Sequence, residues 1–123
     1  GLAANQFTKI AGILNGTCNY ILTAMDKDGV AMETALKEAQ RLGYAEAEPS
    51  FDIDASDTAH KLAILASLAF GTPVNLPAIS IEGIRPIARE DILHAKALGY
   101  RIKLLGIAAL SPKGLEQRVH PTL

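Results

Sequence analysis

Between Gly43 and Leu62 the chain reads GYAEAEPSFDIDASDTAHKL. Five carboxylates, Glu46, Glu48, Asp52, Asp54 and Asp57, precede one lysine, Lys61, just as an otherwise apolar stretch begins. That set suits a site that must hold a cationic, hydroxylated small molecule beside a proton-transferring lysine. On a helix, Asp57 and Lys61 stand at i and i+4, about 40° apart around the axis, and share a face. An exposed surface ion pair has the same spacing and is worth only ~0.3–0.5 kcal/mol. From spacing alone that is the more ordinary reading. The apolar neighbours favour a partly buried pair, in which desolvation would lower the lysine pKa toward working pH while the carboxylate opposes the shift.

Glu46, Glu48 and Asp52 fall in a connecting segment stiffened by Pro49. One carboxylate there could bind an ammonium group and another could accept hydrogen bonds from hydroxyls; a solvated acidic loop is the plain alternative. Oxygen ligands would also suit Mg²⁺ or Ca²⁺, but the spacing departs from the EF-hand loop and lacks its glycine, so no metal is expected. Asn15-Gly16-Thr17 reads as a turn opening a helix. It can serve simply as a cap, or its free backbone N–H groups can receive a substrate carboxylate or a cofactor group. Cys18 is expected to be a small packed side chain, with no histidine near it in sequence. His60 adjoins Lys61 but points about 100° away on a helix, which makes it either structural or a support behind the groups that touch a ligand.

The elements that must position these groups follow from periodicity and punctuation. FTKIAGIL, residues 7–14, reads as a short buried strand, and residues 18–27 as a helix ended by Asp26-Lys27-Asp28-Gly29. Residues 32–42 form a second helix with Glu33 and Lys37 paired on its outer face and Gly43 just past its end. A third helix starts at Asp54 or Ser56, with Asp54 and Asp57 as a weak relative of a capping box, and runs to about Phe70. Apolar nearly all round, it is predicted to be the central buried helix. Residues 79–84 read as a strand, 89–98 as a fourth helix, and 101–109 as a strong strand. SPKG then turns the chain into a hairpin partner over 115–119. The fold class is α+β (mixed α/β), with about four helices packed on one mixed β-sheet.

With 123 residues, 49 % of them apolar and 20 % charged, the chain suits one compact domain. A net charge of −1, no tryptophan and no basic stripe exclude an evident nucleic-acid interface. No apolar run reaches the ~18 residues of a membrane span. One cysteine precludes an internal disulfide and fits a reducing, cytoplasmic setting. Neither a GxGxxG fingerprint nor a P-loop is present, so the usual dinucleotide motif is not in this chain. A start at Gly1 without methionine, and a close at VHPTL, suggest a piece of something longer.

GILNGTCNYILTAM, LKEAQRLGYAEAEPSFDIDASDTAHKLAILASLAFG, IEGIRPI and the closing RVHPTL together resemble homoserine dehydrogenase, over about Ile10 to Thr122. Cys18 departs from the family's usual threonine. The resemblance implies a fragment of a larger Rossmann-containing enzyme that uses NADP or NAD to interconvert aspartate 4-semialdehyde and homoserine, on the way to threonine, methionine and isoleucine. Residues 1–9 would be the exit from an absent nucleotide-binding domain, and residues 10–123 the catalytic domain that binds substrate and dimerises. It further implies that Lys61 is the acid/base and Asp57 its acidic partner. Glu46 and Asp52 would hold the substrate's amino group and hydroxyl, Gly16 and Thr17 would approach the substrate, and Tyr44 would line the pocket. Asn15 and Gly16 would face the nicotinamide. A second lysine and a metal site of the family would lie upstream of Gly1. The residues by themselves also allow a non-enzymatic interaction domain whose acidic loop is a solvated rim.

Overall fold

The structure, a computed structural model, describes residues 8–123. Most of the segment expected to leave a preceding domain, residues 1–9, therefore lies outside the described residues. Strand β1 (Thr8–Gly12) leads into helix α1 (Gly16–Asp28), then α2 (Met32–Arg41), a single turn α3 (Ser50–Ile53), and α4 (Ser56–Phe70). A 3₁₀ turn (Leu76–Ala78) precedes β2 (Ser80–Ile81), α5 (Arg89–Ala97) and the long hairpin β3 (Lys103–Ser111) and β4 (Gly114–Thr122). The sheet order is β1-β3-β4-β2, with β1 and β4 antiparallel to β3, and β2 parallel to β4. This is the expected α+β architecture on one mixed sheet, with five helices because the turn α3 was not foreseen. Among the described residues, no helix is long and apolar enough to cross a membrane.

The core lies between the sheet and helices α1 and α4. Cys18, Ile21, Leu22 and Met25 of α1 and Ala59, Leu62, Ala63 and Ala66 of α4 are buried with Leu104, Ala108 and Val119 of the hairpin. The i, i+3, i+4 spacing of each set puts it on one helical face. The rest of α4 corrects the expectation of a fully buried helix: Ile64 and Leu65 are exposed, and Leu68 is 79 % exposed. Small alanines seat one side of α4 on β3 and β4, and no described element covers the other.

Two further expectations are corrected by where the chain must go. The strand expected over 79–84 shrinks to Ser80–Ile81. Gly83 then passes so close to the turn after α3 that a Cβ there would lie 2.4 Å from the Ile53 carbonyl oxygen. The Ile84 N–H donates to that same oxygen at 2.8 Å, so the backbone leaves the sheet for α3. The weak capping box at Asp54 and Asp57 does not form. The N-cap of α4 is Ala55, which has φ 68° and gives no side-chain cap.

Asn19 replaces a missing strand. β1 pairs with β3 only from Gly106 onward, which leaves the backbone of Leu104 unpaired on that side. The Asn19 side chain takes both groups: its Oδ1 accepts from the Leu104 N–H at 2.9 Å, and its Nδ2 donates to the Leu104 carbonyl at 3.3 Å. Asn19→Leu should therefore strand a buried donor and acceptor and destabilise the protein by about 2–4 kcal/mol. In urea denaturation the midpoint should fall with an unchanged m-value; an unaltered midpoint would show that the Leu104 backbone finds other partners.

Candidate functional site

The site is assembled at the N-terminus of α1. Asn15, in an extended conformation, is its N-cap and accepts from the Cys18 N–H through Oδ1 at 2.7 Å, the usual work of asparagine there. The other end of the same side chain reaches across the fold. Asn15 Nδ2 donates to Asp52 Oδ1 at 2.9 Å and to Asp57 Oδ2 at 2.7 Å. Asn15 is 4 % exposed. Its amide is thus committed to two carboxylates, one from α3 and one from α4.

Lys61 lies one turn after Asp57. Its Nζ is 2.9 Å from Asp57 Oδ2 and donates to the Leu14 carbonyl, also at 2.9 Å. An ammonium carries three donors, so one N–H remains for a group in the cleft. The expected partial burial holds for only one member of the pair: the Asp57 side chain is 22 % exposed and that of Lys61 is 51 %. Burial pushes the Asp57 carboxyl up, and the hydrogen bonds from Asn15 and Lys61 together outweigh it, so the group sits below the ordinary carboxylate range.

The mouth is closed by the turn after α2. Gly43 adopts φ 82°, and the Tyr44 N–H bonds back to the Ala39 carbonyl at 2.8 Å, a Schellman ending. That ending presents the Tyr44 carbonyl to Thr17, whose hydroxyl donates to it at 2.8 Å. The Tyr44 ring meets Tyr20 edge-on, with centroids 5.0 Å apart. The resulting cleft, about 490 Å³, is lined by Asn15, Gly16, Thr17, Tyr20, Tyr44, Asp52, Asp57 and Lys61.

Every residue to which the family resemblance gave a role therefore lines one cleft except Glu46, which is exposed just beyond Tyr44 and is held through its carbonyl by Gln40 Nε2 at 2.9 Å. Tyr20 was missed, although it stands at i+4 from Gly16 and so shares its helical face. Glu48 bonds Ser50 nearby, and Asp54 turns outward to pair with Arg85, at 2.9 Å to Nε and 3.1 Å to the guanidinium Nη2. Neither lines the cleft. His60 likewise points away, with Nδ1 at 2.8 Å from the Ser56 carbonyl. A larger cavity, about 560 Å³, at the far end of α1 gathers Lys27, Lys96, Arg101 and Lys103 around Asp26. Cations there complement a helix C-terminus, and none of the expected site residues takes part.

Cys18 lies beneath the carboxylates, with Sγ 2.9 Å from the Asp52 carbonyl. A threonine hydroxyl could make the same bond. Burial first, and then the charges of Asp52, Asp57 and Asp54, push its thiol up to about 12. Only the thiolate is a nucleophile. At pH 8 iodoacetamide should leave Cys18 unmodified in the folded protein while labelling it readily in urea, as read by mass spectrometry of its peptide. Equal rates in the two conditions would contradict this placement.

Comparison with known proteins shows the family to which the chain belongs. The family model described as homoserine dehydrogenase matches residues 1–123. Homoserine dehydrogenase of Neisseria gonorrhoeae is 56 % identical over 123 residues, which are 100 % of this chain and 28 % of that protein. The crystal structure of a homoserine dehydrogenase from Thiobacillus denitrificans superposes with a TM-score of 0.92 at 56 % identity, covering 100 % of this chain and 28 % of the other. A hyperthermophilic archaeal homoserine dehydrogenase solved in complex with NADPH gives a TM-score of 0.75 at 27 % identity, over 95 % of this chain and 32 % of that one. The chain thus spans under a third of the length of these relatives. Over all of its own length, it belongs to the homoserine dehydrogenase family.

Proposed function

We propose that this chain is the substrate-binding and catalytic part of an NAD(P)-dependent homoserine dehydrogenase, interconverting aspartate 4-semialdehyde and homoserine in the biosynthesis of threonine, methionine and isoleucine. The observation that carries this reading is the convergence of Lys61, Asp57, Asp52 and the first turn of α1 on one cleft.

Charge selects the substrate. Asp52 and Asp57 against Lys61 leave the cleft one negative charge in excess, which attracts the ammonium end of a zwitterionic amino-acid substrate. Asp52 is the nearer anchor for that ammonium, and Glu46 is a second one supported by the family resemblance. Lys61, fixed by Asp57 and the Leu14 carbonyl, directs its remaining N–H at the substrate oxygen. It donates the proton that turns the aldehyde oxygen into a hydroxyl, and takes it back in the reverse direction. Asp57 keeps the ammonium oriented throughout.

The residues present fit the reactive end of a nicotinamide cofactor. Gly16 is exposed at the cleft, and a Cβ there would meet nothing within 4 Å, so a flat ring could approach the helix start beside Thr17. When bound, the cofactor supplies the hydride that reaches the aldehyde carbon. Its phosphates need the fingerprint that this sequence lacks, so they would be held elsewhere in the whole protein. The archaeal relative's NADPH supports NADP or NAD here. A homodimer, which would cover exposed apolar surface such as Ile64, Leu65 and Leu68, and a cytoplasmic setting complete the reading.

In the full-length protein, Lys61→Ala should lower kcat for homoserine oxidation by about 10²–10⁴-fold with little change in KM. A variant retaining full rate would return Lys61 to a structural ion pair, and an inactive wild-type protein would refute the activity. The 123-residue chain alone should show no homoserine-dependent reduction of NAD⁺ or NADP⁺; measurable turnover would overturn its dependence on the rest of the protein.

A further inference from the structure

We propose that Asn15 is a positioning residue of the cleft, whose single amide holds the Asp52 and Asp57 carboxylates side by side in their ionised forms, so that one faces the substrate's ammonium and the other faces Lys61. The proposal rests on the function proposed above for what the two carboxylates serve, but not for the clamp itself.

Two carboxylates brought together in a partly desolvated cleft repel, and one of them ordinarily takes up a proton. The Asn15 amide opposes that outcome because both of its N–H bonds end on carboxylate oxygens, at 2.9 and 2.7 Å. Among the described residues nothing bonds the other Asp52 oxygen, which is left for a ligand. Asp57 Oδ2 is shared between Asn15 and Lys61. The amide cannot rotate away: Oδ1 is engaged by the Cys18 N–H, and the Asn15 carbonyl accepts from Asn19 Nδ2 at 3.0 Å. Helix cap and carboxylate clamp are therefore one rigid group. The other titratable groups around the pair are Lys61 and His60 on α4, Asp54 after α3, and Cys18 and Tyr20 on α1, with Tyr44 at the mouth.

Asn15→Asp separates the two functions of the side chain. Aspartate caps a helix as well as asparagine but replaces the donor with a third negative charge. Asn15→Ser also keeps the cap, and without adding charge it replaces the two-pronged amide by one shorter hydroxyl, which can donate to at most one of the two carboxylates. The sign of the pH effect differs between wild type and Asn15→Asp. In the wild type the Asp57 pKa is depressed, so its stabilisation is complete above the unfolded value near 3.8 and is lost as pH falls through the folded value. In Asn15→Asp three carboxylates share the site and their folded values rise. The folded state then holds more protons than the unfolded one, and stability falls as pH rises between the unfolded and raised values.

The experiment measures the melting temperature of full-length wild type, Asn15→Asp and Asn15→Ser from pH 4 to pH 8, together with the pH profile of kcat/KM for homoserine oxidation. The gap between wild type and Asn15→Asp should widen from pH 4 to pH 7. The acidic limb of kcat/KM should move up by about one unit or more in Asn15→Asp, and in the same direction by a smaller amount, at roughly tenfold lower kcat/KM, in Asn15→Ser. A melting gap independent of pH with an unmoved limb would reduce Asn15 to a helix cap and overturn the proposal. If the wild type does not oxidise homoserine, the reaction falls, and the pH dependence of the melting gap still decides the clamp.

Discussion

One primary amide sits where three parts of the chain meet. Asn15 ends the connection from β1, caps α1, and bonds a carboxylate from each of α3 and α4. Each bond to an ionised acceptor is of the stronger kind, with a net worth of about 1.5–3 kcal/mol, and here two of them oppose the repulsion of like charges. The cleft depends on that balance. With the amide in place, Asp52 and Asp57 are held side by side, Asp57 is paired with Lys61, and α1 begins at the point where the carboxylates converge.

Bringing the two acids together requires a sharp bend between α3 and α4, and the bend is made at Ala55. Ala55 is the non-glycine residue with positive φ among the described residues, at 68°, a conformation that costs on the order of 1–3 kcal/mol. Interactions on the far side of the bend offset the cost. Arg85 grips Asp54 with two nitrogens, the Ile84 N–H bonds the Ile53 carbonyl, and Gly83 lets the two backbones touch. The shortness of β2 is the other side of the same arrangement. The chain that might have extended the sheet instead buttresses the turn that aims Asp52 and Asp57.

The electrostatics divide the nearby polar groups by role. Asn15 and Lys61 lower the Asp57 carboxyl despite its burial. The same carboxylates, added to burial, push the Cys18 thiol up. The chain thus places an inert thiol beneath the cleft and a charged, partly solvated ammonium at its edge. That distribution suits proton donation to an oxygen far better than nucleophilic attack by sulfur.

Local pattern was enough to determine much of this protein. The 3.6-residue period located α1 and α2, the punctuating residues around them located α4 and α5, the SPKG turn located the β3–β4 hairpin, and the i, i+4 spacing of Asp57 and Lys61 placed them on one face. The cap at Asn15 was legible for the same reason, because a helix start is a short-range feature. The family resemblance pointed to Asp52, Tyr44, Gly16 and Thr17 as companions of that pair. Long-range contacts decided the rest. The turn α3 and the bend at Ala55 have no propensity signal, since an alanine with positive φ exists only where surrounding packing enforces it. The exposed side of α4 could not be told from its buried side, because its apolar residues encircle the helix and only the position of the sheet distinguishes them. The amide of Asn15 meets Asp52 and Asp57 across 37 and 42 residues of sequence, and such a hydrogen bond becomes visible only when the folded backbone has closed the distance.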